Sequence, residues 1–124
     1  MATITQVRFT LAEPDLARAT AWYTSALGMA VDFTAPGWSF LSRGAFRVML
    51  GECPDALPAD ALGDHSWYGY VTVDDAGALF DEYRAAGVEF TQLLADKPWG
   101  MREFGIRTPD GHRLMFGQEL QAGR

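Results

Sequence analysis

The chain predicts an α+β fold made of two copies of one strand–helix–strand–strand–strand unit in tandem. Three observations carry that prediction. Asp15, Tyr23 and Gly28 recur roughly sixty residues later as Asp75, Tyr83 and Gly87. The run Arg47-Val48-Met49-Leu50-Gly51 returns as Arg113-Leu114-Met115-Phe116-Gly117. Between these landmarks the hydrophobic period switches from two to about 3.6 and back again, in the same order each time.

Taken in order, residues 3–11 alternate, with Val7, Phe9 and Leu11 on one face and Gln6, Arg8 and Thr10 on the other, which predicts a half-buried strand. From Asp15 to Leu27 the apolar residues Leu16, Ala19, Trp22, Tyr23, Ala26 and Leu27 take helical spacing. Pro14 suits a first turn there and Gly28 suits the stop. Strands follow near 29–34, 37–42 and 45–51, punctuated by Pro36-Gly37 and Arg43-Gly44. Residues 52–65 carry Pro54, Pro58 and Gly63 among acidic residues and read as a solvated linker. The pattern then restarts with a strand from Trp67 to Val73 and a helix from Asp75 to Ala86, stopped by Gly87. Strands near 88–94, 101–107 and 112–118 complete the second copy, with Thr108-Pro109-Asp110-Gly111 as a tight turn. The expectation is a single domain over residues 1–124, with module one at 1–51, the linker at 52–65 and module two at 66–120.

Composition narrows the function classes. The chain has 124 residues, 48% of them hydrophobic and 21% charged, enough for one domain that buries roughly two-thirds of its unfolded surface. No apolar run approaches the roughly 20 residues of a membrane helix, and the start lacks a basic segment leading into an apolar core. The expected location is therefore the cytoplasm. Cys53 is the single cysteine, so no intrachain disulfide or multi-thiolate metal site can form. A net charge of −6 without a Lys/Arg cluster argues against nucleic acid as partner.

Alternation also assigns faces. If Val48, Leu50, Leu114 and Phe116 pack under the helices, then Arg47, Met49, Arg113 and Met115 face the opposite side of the sheet. The same logic places Arg8, Tyr68 and Tyr70 on that opposite side. It gives Trp67 the wrong parity and assigns it, with Trp22, Phe80 and Tyr83, to the core.

The stretches Asp15-Leu16-Ala17-Arg18 through Trp22-Tyr23 to Leu27-Gly28-Met29, Val73-Asp74-Asp75 through Ala85-Ala86-Gly87-Val88, and Pro109-Asp110-Gly111-His112-Arg113-Leu114 carry a family likeness. In their order and duplication they resemble the vicinal oxygen chelate superfamily of glyoxalases, bleomycin-resistance proteins and extradiol dioxygenases. The resemblance covers nearly the whole chain and implies paired βαβββ modules forming cupped mixed sheets, commonly in a homodimer that completes the pockets. Metal-dependent members typically place a His in the first strand of each module and a Glu in the last. Local matching puts those positions on Arg8, Met49, Tyr68 and Met115, with Gln6 as the alternative to Arg8. A guanidinium, two thioethers and a protonated phenol are poor ligands for a divalent cation, so no metal and no cofactor is expected. The run Lys97-Pro98-Trp99-Gly100-Met101-Arg102-Glu103-Phe104 is similar to a segment of bleomycin-resistance proteins, which bind a drug without transforming it.

Four Trp, four Tyr and eight Phe supply flat surfaces for a planar ligand, and guanidinium groups add stacking contacts. The candidate ligand-binding set is Arg8, Trp38, Phe40, Arg47, Met49, Tyr68, Tyr70, Trp99, Glu103, Phe104 and Met115, with no catalytic and no metal-binding residues. Met49 and Met115 would floor an apolar pocket where relatives chelate a metal. Arg8, Arg47 and Arg113 oppose a cationic drug and suit a planar aromatic or partly anionic one. Glu103 is either a general base beside the ligand or the ion-pair partner of Arg102 or Arg107. His65 and His112 read as loop or turn residues, and Cys53 as a bystander.

The expected function is metal-independent capture of a small aromatic molecule, an antibiotic or natural product, by a homodimer. Two alternatives remain: a lyase, isomerase or cyclase on the same scaffold, or a module of a biosynthetic complex with no small ligand.

Overall fold

A computed structural model describes residues 3–59 and 67–120. The chain divides into two compact units, Met1–Ala56 and Leu57–Arg124. His65 and most of the acidic end of the expected linker lie outside the described residues.

The first unit contains β1 (Phe9–Glu13), α1 (Leu16–Ser25), β2 (Ala30–Ala35), β3 (Trp38–Arg43) and β4 (Phe46–Glu52). They form a mixed four-stranded sheet in the order β1-β4-β3-β2. β1 runs parallel to β4, while β3 pairs antiparallel with both β4 and β2. A parallel pair needs a crossover rather than a hairpin, and α1 is part of it. The strand expected at residues 3–11 begins only at Phe9 and runs on to Glu13. Its register explains the shift, because only Phe9 through Glu13 find partners on β4, from Val48 to Glu52.

Capping explains where α1 starts and stops. The Asp15 carboxylate accepts from the Arg18 backbone N–H at 3.1 Å, and Pro14 sits just before this cap rather than inside the first turn. At the other end Gly28 takes φ 71°, a left-handed conformation that suits glycine. The chain then folds back so that the Met29 N–H donates to the Tyr23 carbonyl at 3.2 Å. α1 packs on β3 and β4, burying Ala19, Tyr23, Leu27, Leu41, Val48 and Leu50.

The second unit repeats the plan with β5 (Trp67–Thr72), α2 (Ala76–Ala85), β6 (Glu89–Asp96), β7 (Met101–Arg107) and β8 (Arg113–Glu119). Its sheet order is β5-β8-β7-β6, with β5 parallel to β8. The repeated landmarks do repeated work. Asp75 accepts from the Ala78 N–H at 2.9 Å, Tyr83 is buried like Tyr23, Gly87 has φ 77°, and the Val88 N–H donates to the Tyr83 carbonyl at 3.0 Å. The core of this unit is aromatic. Phe104 stacks on Phe116 with centroids 5.2 Å apart and planes at 17°, while Tyr83 meets Phe116 edge-on at 5.4 Å. Phe80 and Trp22, both assigned to the core from spacing, are half-buried.

Removing either helix cap leaves the same type of orphaned first-turn donor. Asp15→Ala and Asp75→Ala should each lower unfolding free energy by about 1 kcal/mol, read from urea midpoints. An unchanged midpoint in either variant would contradict the capping assignment.

Candidate functional site

Each sheet has one face covered by its helix; the opposite face, termed the open face, holds most of the candidate site residues, and in the second unit Met115 and Glu103 on it are buried. In the first unit the register sets Thr10, Met49, Phe40 and Phe33 side by side across β1, β4, β3 and β2. A bulge between Val31 and Phe33 turns Asp32 and Phe33 to this same face, since Asp32 accepts from the Ser42 hydroxyl at 3.0 Å and the Phe33 ring lies 5.5 Å from Phe40. Arg8 precedes β1 and lies along the face. Its guanidinium donates to the carbonyls of Val48 at 2.9 Å and Leu41 at 3.2 Å, sits 5.3 Å from the Phe40 centroid, and approaches Asp32 at 3.9 Å.

Trp38 completes this patch by lying flat across β4. It pairs in register with Gly51, and a Cβ at Gly51 would stand 2.8 Å from its six-membered ring. Glycine is therefore required for the indole to rest there. Arg47 pairs with Ser42 one row further along the same face.

In the second unit the open face carries three rows. Trp67, Arg113, Arg107 and Glu89 form one; Tyr70, Met115, Gly105 and Gln92 the next; Thr72, Gly117, Glu103 and Ala95 the third. The buried Glu103 carboxylate accepts from the Tyr70 hydroxyl at 2.6 Å. That hydroxyl occupies the space a Cβ at Gly117 would need. Burial, then the hydrogen bond and negative charge of Glu103, push the Tyr70 phenol well above its ordinary value of 10.0, so Tyr70 is a donor throughout the physiological range. A cavity of about 370 Å³, lined by Trp67, Thr91, Gln92, Arg113, Leu114 and Met115, lies within this unit.

Three expectations change. Phe104 is fully buried on the helix side: it adjoins Glu103 in β7, and adjacent strand residues point to opposite faces. Trp67, expected in the core, shares the open face with Arg113 and is about a third exposed. The cause is an extra residue in β5 between Trp67 and Tyr70, which resets the parity. The same bulge sets Tyr68 and Gly69 against Leu114, and the Tyr68 ring meets His112 edge-to-face at 6.0 Å rather than joining the open-face row. Gly69 inside the strand is the signal that marks such a bulge. Thr91 and Gln92 had no signal of this kind, because they lie where β6 shifts register without glycine or proline.

The remaining expected residues are dispersed. Trp99 lies in the turn between β6 and β7, largely exposed, with the Lys97 ammonium 5.9 Å from its ring centroid. Glu103 pairs with neither neighbouring arginine, since Arg102 binds Asp96 at 2.6 and 3.1 Å and Arg107 donates to Glu89 at 2.9 Å.

The profile of the Glyoxalase/Bleomycin resistance protein/Dioxygenase superfamily matches residues 5–116, and the chain belongs to that superfamily. TioX from Micromonospora sp. ML1 is similar at 28% identity, TM-score 0.78, over 94% of this chain and 99% of that one. The bleomycin resistance determinant encoded on transposon Tn5 shares the fold at 22% identity and TM-score 0.78, over 94% and 98% of the two chains. So does the bleomycin-binding protein of bleomycin-producing Streptomyces verticillus, solved with copper(II)-bleomycin, at 22% identity and TM-score 0.72 over 94% and 97%. No curated protein matches the sequence.

The positions matched to the metal ligands of metal-dependent relatives carry a donor set that does not fit a divalent cation. The Arg8 guanidinium is spent on two carbonyls, the Tyr68 ring lies against His112, and Met49 and Met115 offer soft thioethers. Gln6 is exposed ahead of β1. Among the described residues no three His, Cys, Asp or Glu side chains gather to hold an ion, and no helix is long and apolar enough to cross a membrane.

The Tyr70 phenol should titrate above pH 10 when followed by ultraviolet difference absorbance, and Glu103→Gln should bring it down towards the ordinary value. A folded-state value above the unfolded one favours the protonated form, so the associated stability is present below about pH 10 and is lost as pH rises beyond it. Titration of Tyr70 at its ordinary value would show the 2.6 Å bond to be absent in solution.

Proposed function

We propose that this protein binds and sequesters an aromatic antibiotic or related natural product without a metal ion, acting in the cytoplasm as a homodimer whose two modules make one domain per chain. The observation that carries this reading is the fate of the two last-strand ligand positions. Met49 lies in register between Thr10 and Phe40, and Met115 between Tyr70 and Gly105. Met49 thus extends the aromatic surface of Phe40, and the buried Met115 lines the cavity between Tyr70 and the bare backbone of Gly105, where a flat ligand gains dispersion and S–aromatic contact. Protection by capture needs affinity and abundance rather than turnover, with apolar burial supplying most of the binding and polar groups the orientation. The bleomycin-binding proteins that share this fold support antibiotic capture.

A second reading, acid–base catalysis on the same scaffold, is favoured by one observation. Tyr70 and Glu103 form a proton donor–acceptor pair on the open face of the second unit, where Glu103 is the candidate base. Chemical change in a bound compound over time would select this reading.

Calorimetric titration with a panel of aromatic antibiotics tests the first. For the compound that binds, Trp38→Ala should weaken affinity by about 1–3 kcal/mol through lost stacking. The pair Met49→Glu with Met115→Glu should abolish binding by placing carboxylates against the apolar ligand. Unchanged affinity in both variants, with folding verified by circular dichroism, would move the site off these faces.

A further inference from the structure

A row of charged side chains borders the aromatic floor on the open face of the first unit, and its charges do not balance. Phe9 pairs with Val48 in the parallel β1–β4 register, so Arg8 and Arg47 stand one position back on neighbouring strands. Alternation sends both to the open face. Like charges placed opposite each other in this way are destabilising, and the row supplies one carboxylate for the two cations. Asp32, held by the Ser42 hydroxyl at 3.0 Å, approaches the Arg8 guanidinium at 3.9 Å, near enough to offset its charge but longer than a hydrogen bond. Arg8 also gives Nη1 hydrogens to the carbonyls of Leu41 and Val48. Arg47 is half-buried and its register partner is the neutral Ser42. Among the described residues its guanidinium joins no hydrogen bond or ion pair. The row therefore holds one positive charge in excess, centred on Arg47.

We infer that this face takes a planar aromatic compound bearing one oxyanion, its ring on Phe40, Met49 and Trp38 and its oxyanion on Arg47 beside Arg8. The inference rests on the binding reading above and fixes both the place of the ligand and the sign of its charge. Phe40 and Met49 pair in register, and the Trp38 ring lies 6.5 Å from Phe40 with planes at 32°. Trp38 remains 37% exposed, so ring surface is left for a ligand to cover. Met49 and Arg47 are two residues apart in β4, about 7 Å along the strand, a spacing that a fused ring with a terminal oxyanion bridges. The guanidinium fork then meets the oxyanion through charge-assisted hydrogen bonds. The net charge of −6 opposes an anion at long range, but salt screens charges beyond about 8 Å at physiological ionic strength. A guanidinium in contact is screened far less, so the local cations decide the sign. Gly51 keeps the floor flat, because a Cβ there would stand 2.8 Å from the Trp38 ring and lift the indole away.

Amide NMR of the full chain, titrated separately with 2-naphthoate and its neutral isostere 2-naphthamide, tests the inference. The naphthoate should bind on the order of tenfold tighter, through its charge-assisted bonds to Arg47, and should shift the Trp38 indole and Met49 methyl signals. Arg47→Gln should erase the preference for the acid, and Arg47→Lys should keep part of it. Asp32→Asn should tighten the naphthoate and leave the naphthamide unchanged, because the carboxylate that competes for Arg8 is gone. Gly51→Ala should weaken both probes alike. Wild-type-like spectra of Arg47→Lys show that the fold survives at this position. Equal affinity for acid and amide at Trp38 and Met49 would overturn the anionic assignment and leave aromatic capture standing. Shifts confined to the second unit, or none with either probe, would overturn the placement on this face, and the antibiotic panel would then judge the binding reading separately.

Discussion

The rest of the structure depends on the strict alternation of β4 and β8 beneath a single helix each. Val48 and Leu50 in the first unit, and Leu114 and Phe116 in the second, are almost wholly removed from water. Their side chains fill the space under α1 and α2 at about 25 cal/mol per Å² of apolar surface. A one-residue slip would exchange faces entirely, sending arginine and methionine into that space. The burial that stabilises each module therefore also delivers Arg47, Met49, Arg113 and Met115 to the opposite face, where Met115 is buried and the other three are half-buried. Site chemistry is a by-product of core register.

Glycine gives the open faces their shape. The repeated five-residue run ends in Gly51 in one module and Gly117 in the other, and each lets an aromatic side chain lie directly on the strand. Trp38 rests over Gly51, and the Tyr70 hydroxyl occupies the place of a Gly117 Cβ. The two modules use one backbone solution for different chemistry. In the first, an indole joins Phe40, Phe33 and the Arg8 guanidinium in a patch of tilted planar groups. In the second, a phenol reaches across to a buried carboxylate and leaves Trp67 and Arg113 to frame a cavity. The scaffold positions Asp15/Asp75, Tyr23/Tyr83 and Gly28/Gly87 repeat, as do the outward-facing Arg47/Arg113, Met49/Met115 and Gly51/Gly117, while the aromatic residues set around them differ.

Most of the fold was legible in the sequence because its signals are local. Asp at the helix start, glycine at the stop and the change of hydrophobic period mark α1 and α2 to within two residues. The open-face assignment of Arg47, Met49, Arg113 and Met115 follows from period-two counting within regular strands. Counting failed where the strand was not regular. The extra residue in β5 reversed Trp67, for which Gly69 was the neglected sign, and the register shifts of β6 brought in Thr91 and Gln92 with no composition to announce them. Phe104 differs for another reason: it belongs to the aromatic set expected against a planar ligand together with Glu103, yet the two are adjacent in β7 and alternation keeps them from sharing a face. The partner of Glu103 was equally out of reach, since a hydrogen bond between residues 33 positions apart leaves no mark on either local stretch.

The central claim is that an open face carrying thioethers and aromatic rings, rather than a metal centre, takes the ligand. Native mass spectrometry of the purified protein with an aromatic antibiotic, run once with a chelator and once with added zinc or manganese, tests it most directly. The account predicts a complex with the intact compound, equal in both conditions and constant in mass over time. A complex that forms only with the divalent ion, or a bound mass that changes with incubation, would contradict it and mark the protein as a metal-dependent or catalytic member of its superfamily.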